Sequence, residues 1–415
     1  MIPSPENTAD YIKYKRQSLG LTQKEFAELL GLRDTSERTI SGWERGEHTP
    51  TKAKFKEIET INVSVPFRKT GKTTFDFIDL FAGIGGMRLP FQELGGKCVF
   101  TSEWDKFAKK TYAANYGELP FGDISKIPSE QIPNHDVLLA GFPCQAFSQA
   151  GLKRGFADTR GTMFFEIQRI LSAKRPKAFL LENVKQLKGH DKGRTLETIL
   201  SILRGENAPK IPDNIQISDE ARQSLQARLN YAVDFRVLKA SDFGVPQGRE
   251  RVYIVGFDRS QLGDKSIDTV LNDIFEDLCS RKSATRLGDI MEKHAEIDPK
   301  YTISDKLLSG HKRRLEEHKN KGNGFGFSVF NEDSPYCNTI SARYYKDGSE
   351  ILLSQEKLGK NPRKLTPREC ARIQGFPENF IVSAVSDAQI YKQFGNSVAV
   401  PVVREVAKKI VQTIS

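Results

Sequence analysis

The sequence predicts an α/β protein. A mainly parallel β-sheet covered by helices is followed by a smaller irregular domain and preceded by an all-α unit. Three observations predict it. From Phe75 onward, short β-prone runs alternate with helical patterns, the wiring of a parallel sheet. Before residue 59 only helical periodicity occurs, punctuated by caps and stops. From about 260 to 362 neither period holds; charged runs (Lys312 to Lys321) and a glycine-rich patch (Gly322 to Gly326) take over.

In chain order, Asp10 to Leu19 reads as an amphipathic helix. Thr22 can cap a second helix from Gln23 to Leu30, which stops at Gly31. A third, from about Glu37 to Arg45, ends at Gly46, and Thr49-Pro50 opens a fourth with Ala53, Phe55 and Ile58 on its apolar side. Between Thr60 and Thr73 periodicity disappears, and the segment reads as a flexible linker. Its Gly71-Lys72-Thr73 resembles the end of a phosphate-binding loop, but Pro66 stands where that motif needs its first glycine. Candidate strands are Phe75–Leu80, Cys98–Ser102, Val137–Ala140, Ala178–Leu181, Phe235–Lys239 and Val252–Phe257. Order returns at Leu365, where Thr366-Pro367 starts a helix, and another lies within Tyr391 to Ile414. The expected division is 1–58 helical domain, 59–73 linker, 74–260 α/β domain, 261–362 irregular domain and 363–415 return to the α/β domain.

Composition excludes several classes. The 415 residues suffice for two to four folded units. With 38% hydrophobic and 28% charged residues the chain is too apolar for a disordered one. Of five cysteines none lies within four residues of another, so no metal and no structural zinc site is expected, and the odd count in a chain this long argues against a disulfide framework and for a reducing compartment. The polar N-terminus and the shortness of apolar runs such as Val137 to Phe142 argue for a cytoplasmic protein with no membrane partner. A net charge of +10 permits a polyanion partner.

The chemistry-bearing residues gather at strand ends, where open α/β sheets place their sites. The first strand runs into Phe81-Ala82-Gly83-Ile84-Gly85-Gly86, closely spaced glycines that let a ligand approach the backbone. Glu103 follows Gly83 by 20 residues, at the end of the next strand, where a carboxylate accepts from ribose hydroxyls. Asp123 is suited to accept from an exocyclic amine. Together they describe a nucleoside-cofactor pocket. Past the third strand, Gly141-Phe142-Pro143-Cys144-Gln145 presents a thiol in a polar setting. The fourth ends in Glu182-Asn183-Val184, and Gln247-x-Arg249-x-Arg251 enters the last, where alternate side chains share a face.

These motifs, in order and completed by Gly395-Asn396-Ser397-Val398, resemble the DNA (cytosine-5)-methyltransferases of bacterial restriction–modification systems, over about residues 75–415. The resemblance implies a Rossmann-like methyltransferase domain with an irregular target-recognition domain, and S-adenosylmethionine as methyl donor. Carried over by position, Phe81, Gly83, Gly85, Glu103, Trp104, Asp123, Pro143 and Asn396 form the cofactor site. Cys144, Glu182, Arg249 and Arg251 form the catalytic set, and Gln145 to Thr162 is the segment that closes over a flipped base. Gln145, Ser148 and Arg343 are expected to touch double-stranded DNA. Leu365 to Pro377 would brace the recognition region. The stretches Gly322–Gly326 and Asn338–Tyr345 are similar to those of enzymes acting on palindromes of the CC…GG kind. The polar segment around Arg204–Arg222 departs from the pattern and reads as a surface insertion.

The first 58 residues resemble the helix-turn-helix of phage-repressor-like regulators through Leu21-Thr22-Gln23, Phe26-Ala27 and Trp43-Glu44-Arg45-Gly46. That implies a recognition helix offering Ser36, Arg38 and Thr39 to operator DNA, and an Arg16–Glu44 ion pair. The turn Leu32 to Ser36 is about three residues longer than the pattern. The combined expectation is a methyltransferase that protects host DNA, is paired with a restriction endonuclease, and regulates its own transcription. Two rivals are weaker. RNA cytosine methyltransferases usually carry a second cysteine beside the carboxylate motif or a Cys-Phe-Thr signature, and this chain has neither. An inactive regulator would not need Cys144, Glu182 and Arg251.

Overall fold

The computed structural model describes residues 7–19, 21–32, 36–60, 65–68, 71–143, 163–206, 217–262, 267–276, 278, 285–322 and 326–415. Four helices open the chain: α1 (Thr8–Ser18), α2 (Gln23–Leu29), α3 (Ser36–Glu44) and α4 (Lys52–Thr60). The Thr22 hydroxyl accepts from the Glu25 amide while the Glu25 carboxylate accepts from the Thr22 amide, so two otherwise orphaned donors are satisfied at the start of α2. The apolar faces meet around Ile12, Phe26, Ile40, Trp43 and Ile58. The expected Arg16–Glu44 pair is present: Nε and Nη2 of Arg16 lie 2.5 and 2.9 Å from the carboxylate oxygens, and Gln23 donates to the same group at 2.8 Å.

From Phe75 the chain runs β1 (Phe75–Leu80), α5 (Arg88–Glu93), β2 (Gly96–Ser102), α6 (Lys106–Tyr116) and β3 (Val137–Gly141). Then follow α7 (Met163–Lys174), β4 (Ala178–Val184), α8 (Arg194–Arg204), α9 (Asp219–Ser224), β5 (Tyr231–Lys239), β6 (Glu250–Asp258) and α10 (Ile267–Glu276). The six strands form one sheet in the order β2-β1-β3-β4-β6-β5. The first four are parallel; β6 runs antiparallel to both β4 and β5. Side-chain alternation sends Phe77, Leu139 and Val255 to one face, and Ile78, Leu138 and Ile254 to the other. Both faces are covered, which is why these strands read as near-continuous apolar runs.

The remaining elements are α11 (Asp305–Asn320), β7 (Val329–Phe330), α12 (Tyr344–Asp347), β8 (Leu352–Leu353), α13 (Pro367–Ile373), α14 (Asp387–Asn396) and α15 (Val400–Ile414). A second capping box, Thr366 with Glu369, starts α13, and Glu369 is also gripped by fully buried Arg363 through two 2.7 Å bonds. Helix α15 lays Val402, Val403 and Val406 on the sheet face already occupied by Phe77 and Phe91.

Three local expectations change. Part of the segment expected to be a flexible linker is packed: the Phe67 ring lies 5.7 Å from that of Tyr116 and 6.1 Å from that of Phe380. Part of the expected surface insertion is core. Ala221 of α9 is buried, and Glu220 accepts from buried Arg169 at 2.8 Å, a second carboxylate for a guanidinium that also pairs with Glu166. Finally, Gln247, Arg249 and Arg251 do not share a strand face: β6 begins at Glu250, so of the three only Arg251 lies in the strand.

Candidate active site

Strands β1, β3 and β4 end at one edge of the sheet. Because β6 runs the other way, its first residues arrive at that same edge, with Arg251 in register with Val184 and Tyr253 with Glu182. One crevice thereby receives the turn after β1, the Gly141-Phe142-Pro143 segment, the Glu182-Asn183 end of β4 and the start of β6.

On the β1 side the backbone turns through left-handed conformations at Phe81 (φ 53°), Gly83 (φ 56°) and Gly85 (φ 83°). A non-glycine residue held there costs about 1–3 kcal/mol, so the surrounding bonds must impose it. The Ala82 amide donates to Ser102 O, the Gly85 amide to Ala82 O, and the Gly83 amide to Glu103 Oε2 at 2.8 Å. The two glycines answer different needs. A Cβ on Gly83 would meet nothing within 4 Å, so that position faces open space. A Cβ on Gly85 would fall 2.3 Å from the Tyr116 ring, whose hydroxyl donates to Gly85 O at 2.7 Å.

Beside this turn stands the Glu103 carboxyl. Burial pushes its pKa up, against the pull of the Asp105 and Gly83 amides that donate to it. Trp104, the next residue, is 72% exposed, a large indole open to solvent. Asp123 serves as the cap of the turn Ile124–Lys126, accepting from the Ser125 amide and hydroxyl through Oδ1. Asn396 is exposed at the last residue of α14, and Pro143 is half-buried past β3.

Cys144, Gln145, Ser148 and the rest of the expected closing segment to Thr162 lie outside the described residues. The chain leading to the thiol is held by Asn183, whose Nδ2 donates to Phe142 O at 2.9 Å. Its neighbour Glu182 is 8% exposed, and burial raises its pKa despite the Arg251 and Arg249 guanidinium groups that pull it down. Arg251 Nε is 3.1 Å from Glu182 Oε1, an ion-pair distance, and among the described residues no well-aligned hydrogen-bond donor reaches Oε1.

Arg249 is built differently. Its guanidinium is buried and donates to the carbonyls of Ile340 (3.3 Å), Gly395 (3.2 Å) and Ser397. Burial and the neighbouring Arg251 charge pull its pKa to about 9, against the opposing pull of Glu182, which leaves it charged at neutral pH. Gln247 adds a bond to Ile373 O and accepts from the Ile340 amide. Of the Gln-x-Arg-x-Arg side chains, then, only Arg251 meets the Glu182 carboxylate, and the other two brace the segments at 340, 373 and 395. A Cβ on Gly395 would lie 2.3 Å from the Ser341–Ala342 backbone.

Arg343 is exposed beyond that contact, its amide donating to Ser341 Oγ. On α3, Arg38 is exposed and Thr39 half-buried; Ser36 opens the helix, and its side chain lies outside the described atoms. Sequence reasoning missed Tyr116, Asn183 and the bracing role of Arg249. Asn183 stood within a quoted motif, whereas Tyr116 sits on a helix where a buried aromatic carries no signal of its own.

Comparison with known proteins places the whole chain. The profile of the C-5 cytosine-specific DNA methylases matches residues 75–207 and 211–412, and a helix-turn-helix profile matches residues 12–61. The chain is 52% identical over 410 residues to the Type II methyltransferase M.SsoII of Shigella sonnei, covering 99% of each. It is also 52% identical over 404 residues to the Type II methyltransferase M1.ScrFI of Lactococcus lactis subsp. cremoris, covering 97% of this chain and 95% of that one. The crystal structure of the S. pombe Dnmt2 methyltransferase shares the fold at TM-score 0.58 and 20% identity, over 82% of this chain and 98% of that one.

Proposed function

From a chain that belongs to the C-5 cytosine-specific DNA methylases and carries a helix-turn-helix at its N-terminus, we propose a restriction–modification methylase that also regulates transcription. It acts on double-stranded DNA at a short palindrome of the CC…GG kind and protects host DNA from a cognate endonuclease.

The residues fit the expected cofactor. Gly83 opens onto free space, Glu103 offers a carboxylate at the end of β2, and bare Trp104 offers a stacking surface. S-adenosylmethionine, when bound, supplies the methyl group as an electrophile. Everything else falls to the protein. Cytosine C5 is a weak nucleophile until a thiolate adds at C6, so Cys144 forms a bond to C6 and the ring electrons move toward N3. N3 then needs a proton. Glu182, whose hold on a proton burial strengthens, donates it, while Arg251 steadies the carboxylate that remains. After C5 takes the methyl group, its proton leaves to solvent, the C6–S bond breaks, and Glu182 recovers the N3 proton. Attack from above the ring plane requires the base outside the stack.

The observation that carries this reading is Glu182 itself: a secluded carboxyl beside Arg251, adjoining the Asn183 side chain that holds the approach to Cys144. The experiment that tests it places a C5-fluorinated cytosine in the target. Fluorine cannot leave as a proton, so wild-type protein is trapped covalently and Cys144→Ser is not. Absence of a wild-type adduct on methylatable DNA overturns the mechanism.

A further inference from the structure

The segment between the N-terminal helices and β1 contains a residue used by none of the chemistry above. Phe67 is half-buried, and both its backbone groups are engaged. Its amide donates to Asn115 O at 2.9 Å, and its carbonyl accepts from Gln92 Nε2 at 2.6 Å. Gln92 in turn accepts from Arg88 Nε at 2.9 Å. The Phe67 ring packs on Tyr116 from one side, while the Arg88 guanidinium sits 4.5 Å from the same ring's centroid and Tyr112 leans on it at 4.8 Å. Tyr116 is therefore clamped, and its hydroxyl is the partner of Gly85 O in the turn after β1.

We propose that Phe67 is a positioning residue of the cofactor site: it fixes the Tyr116 ring, and Tyr116 fixes the Gly85 carbonyl and with it the turn that faces the cofactor. The inference rests on the reading of the Gly83–Gly85 turn as the cofactor cradle. Its physical basis is the absence of slack. The Gly85 Cα already lies so close to Tyr116 that one added carbon would collide with the ring. A ring displaced into the space left by a missing Phe67 carries the carbonyl away or breaks the bond.

The test uses the full chain and titrates S-adenosylmethionine by calorimetry, with steady-state methylation alongside. Phe67→Ala weakens cofactor affinity by about five- to tenfold and raises KM for the cofactor equally, while kcat and KM for DNA stay within about twofold. Phe67→Leu, which refills most of the space, recovers most of the affinity. Tyr116→Phe, which keeps the ring and loses the bond to Gly85 O, reproduces the Phe67→Ala defect without its packing loss. Unchanged affinity in both Phe67→Ala and Tyr116→Phe overturns the proposal. So does a Phe67→Ala defect that falls equally on cofactor, DNA and kcat, which marks general loosening. Wild-type protein that fails to bind S-adenosylmethionine instead defeats the cradle reading, a separate result.

Discussion

At the scale of single residues, the proposed mechanism turns on the proton held by Glu182. General acid help of this kind is worth about 10²–10⁴-fold, and Glu182→Gln is expected to lose that much of kcat with cofactor binding retained. The pH dependence has a definite sign. Burial raises the folded-state pKa above the ordinary 4.5, so folded protein holds a proton that unfolded chain releases. The associated stability is present below 4.5 and is lost as pH rises through the raised value. Glu182→Gln lacks this loss. Its melting temperature relative to wild type therefore climbs as pH rises above the ordinary 4.5; a constant difference means that burial does not raise the carboxyl's pKa. The glycine turn, Glu103 and Glu182 were legible in the sequence because each sits at a strand end within a short motif. Tyr116 was not, because what matters there is a hydroxyl aimed at a backbone carbonyl 31 positions earlier.

Between residue and molecule stand the elements, and here the pattern of alternating strands served well: β1 was read to the residue, and the other five were recovered with shortened ends. The reversed direction of β6 was not legible. Nothing in an apolar run records its orientation, and only the pairing with β4 shows why Arg251 reaches the crevice from a strand's beginning. The same strand start carries the Arg249 brace. Charge-assisted hydrogen bonds contribute about 1.5–3 kcal/mol each, and Arg249→Ala is expected to cost roughly 3 kcal/mol in denaturant unfolding and to weaken DNA binding. Arg249→Lys recovers less than half of that, since one ammonium cannot span three carbonyls. Exchanging residues 322–345, which include Arg343, for the matching stretch of a relative with another target is expected to move the methylated sequence. Unchanged sites, read by sequencing methylated DNA, place target choice elsewhere.

For the molecule as a whole, the helix-turn-helix is joined to the catalytic sheet by a tether that is partly packed, and its Glu25 comes within 3.6 Å of Lys110 on α6. Such an exposed pair is worth about 0–1 kcal/mol, so it does not lock the N-terminal unit in place. Footprinting is expected to show protection of a palindromic site near the protein's own gene, lost on deletion of residues 1–58. Protection of no upstream site at concentrations that methylate DNA reduces the unit to general DNA affinity. One further consequence follows from the seating of Gly395 against Ser341 and Ala342, with the Arg249 carbonyl partners at Gly395 and Ser397. The ribosome makes the six strands and the 322–345 stretch well before it makes residue 395. Throughout that interval the segment at 340 lacks its final anchor. A premature stop before Gly395 is expected to leave that segment unseated and, by removing Val402, Val403 and Val406, to strip one face of the sheet of its cover as well.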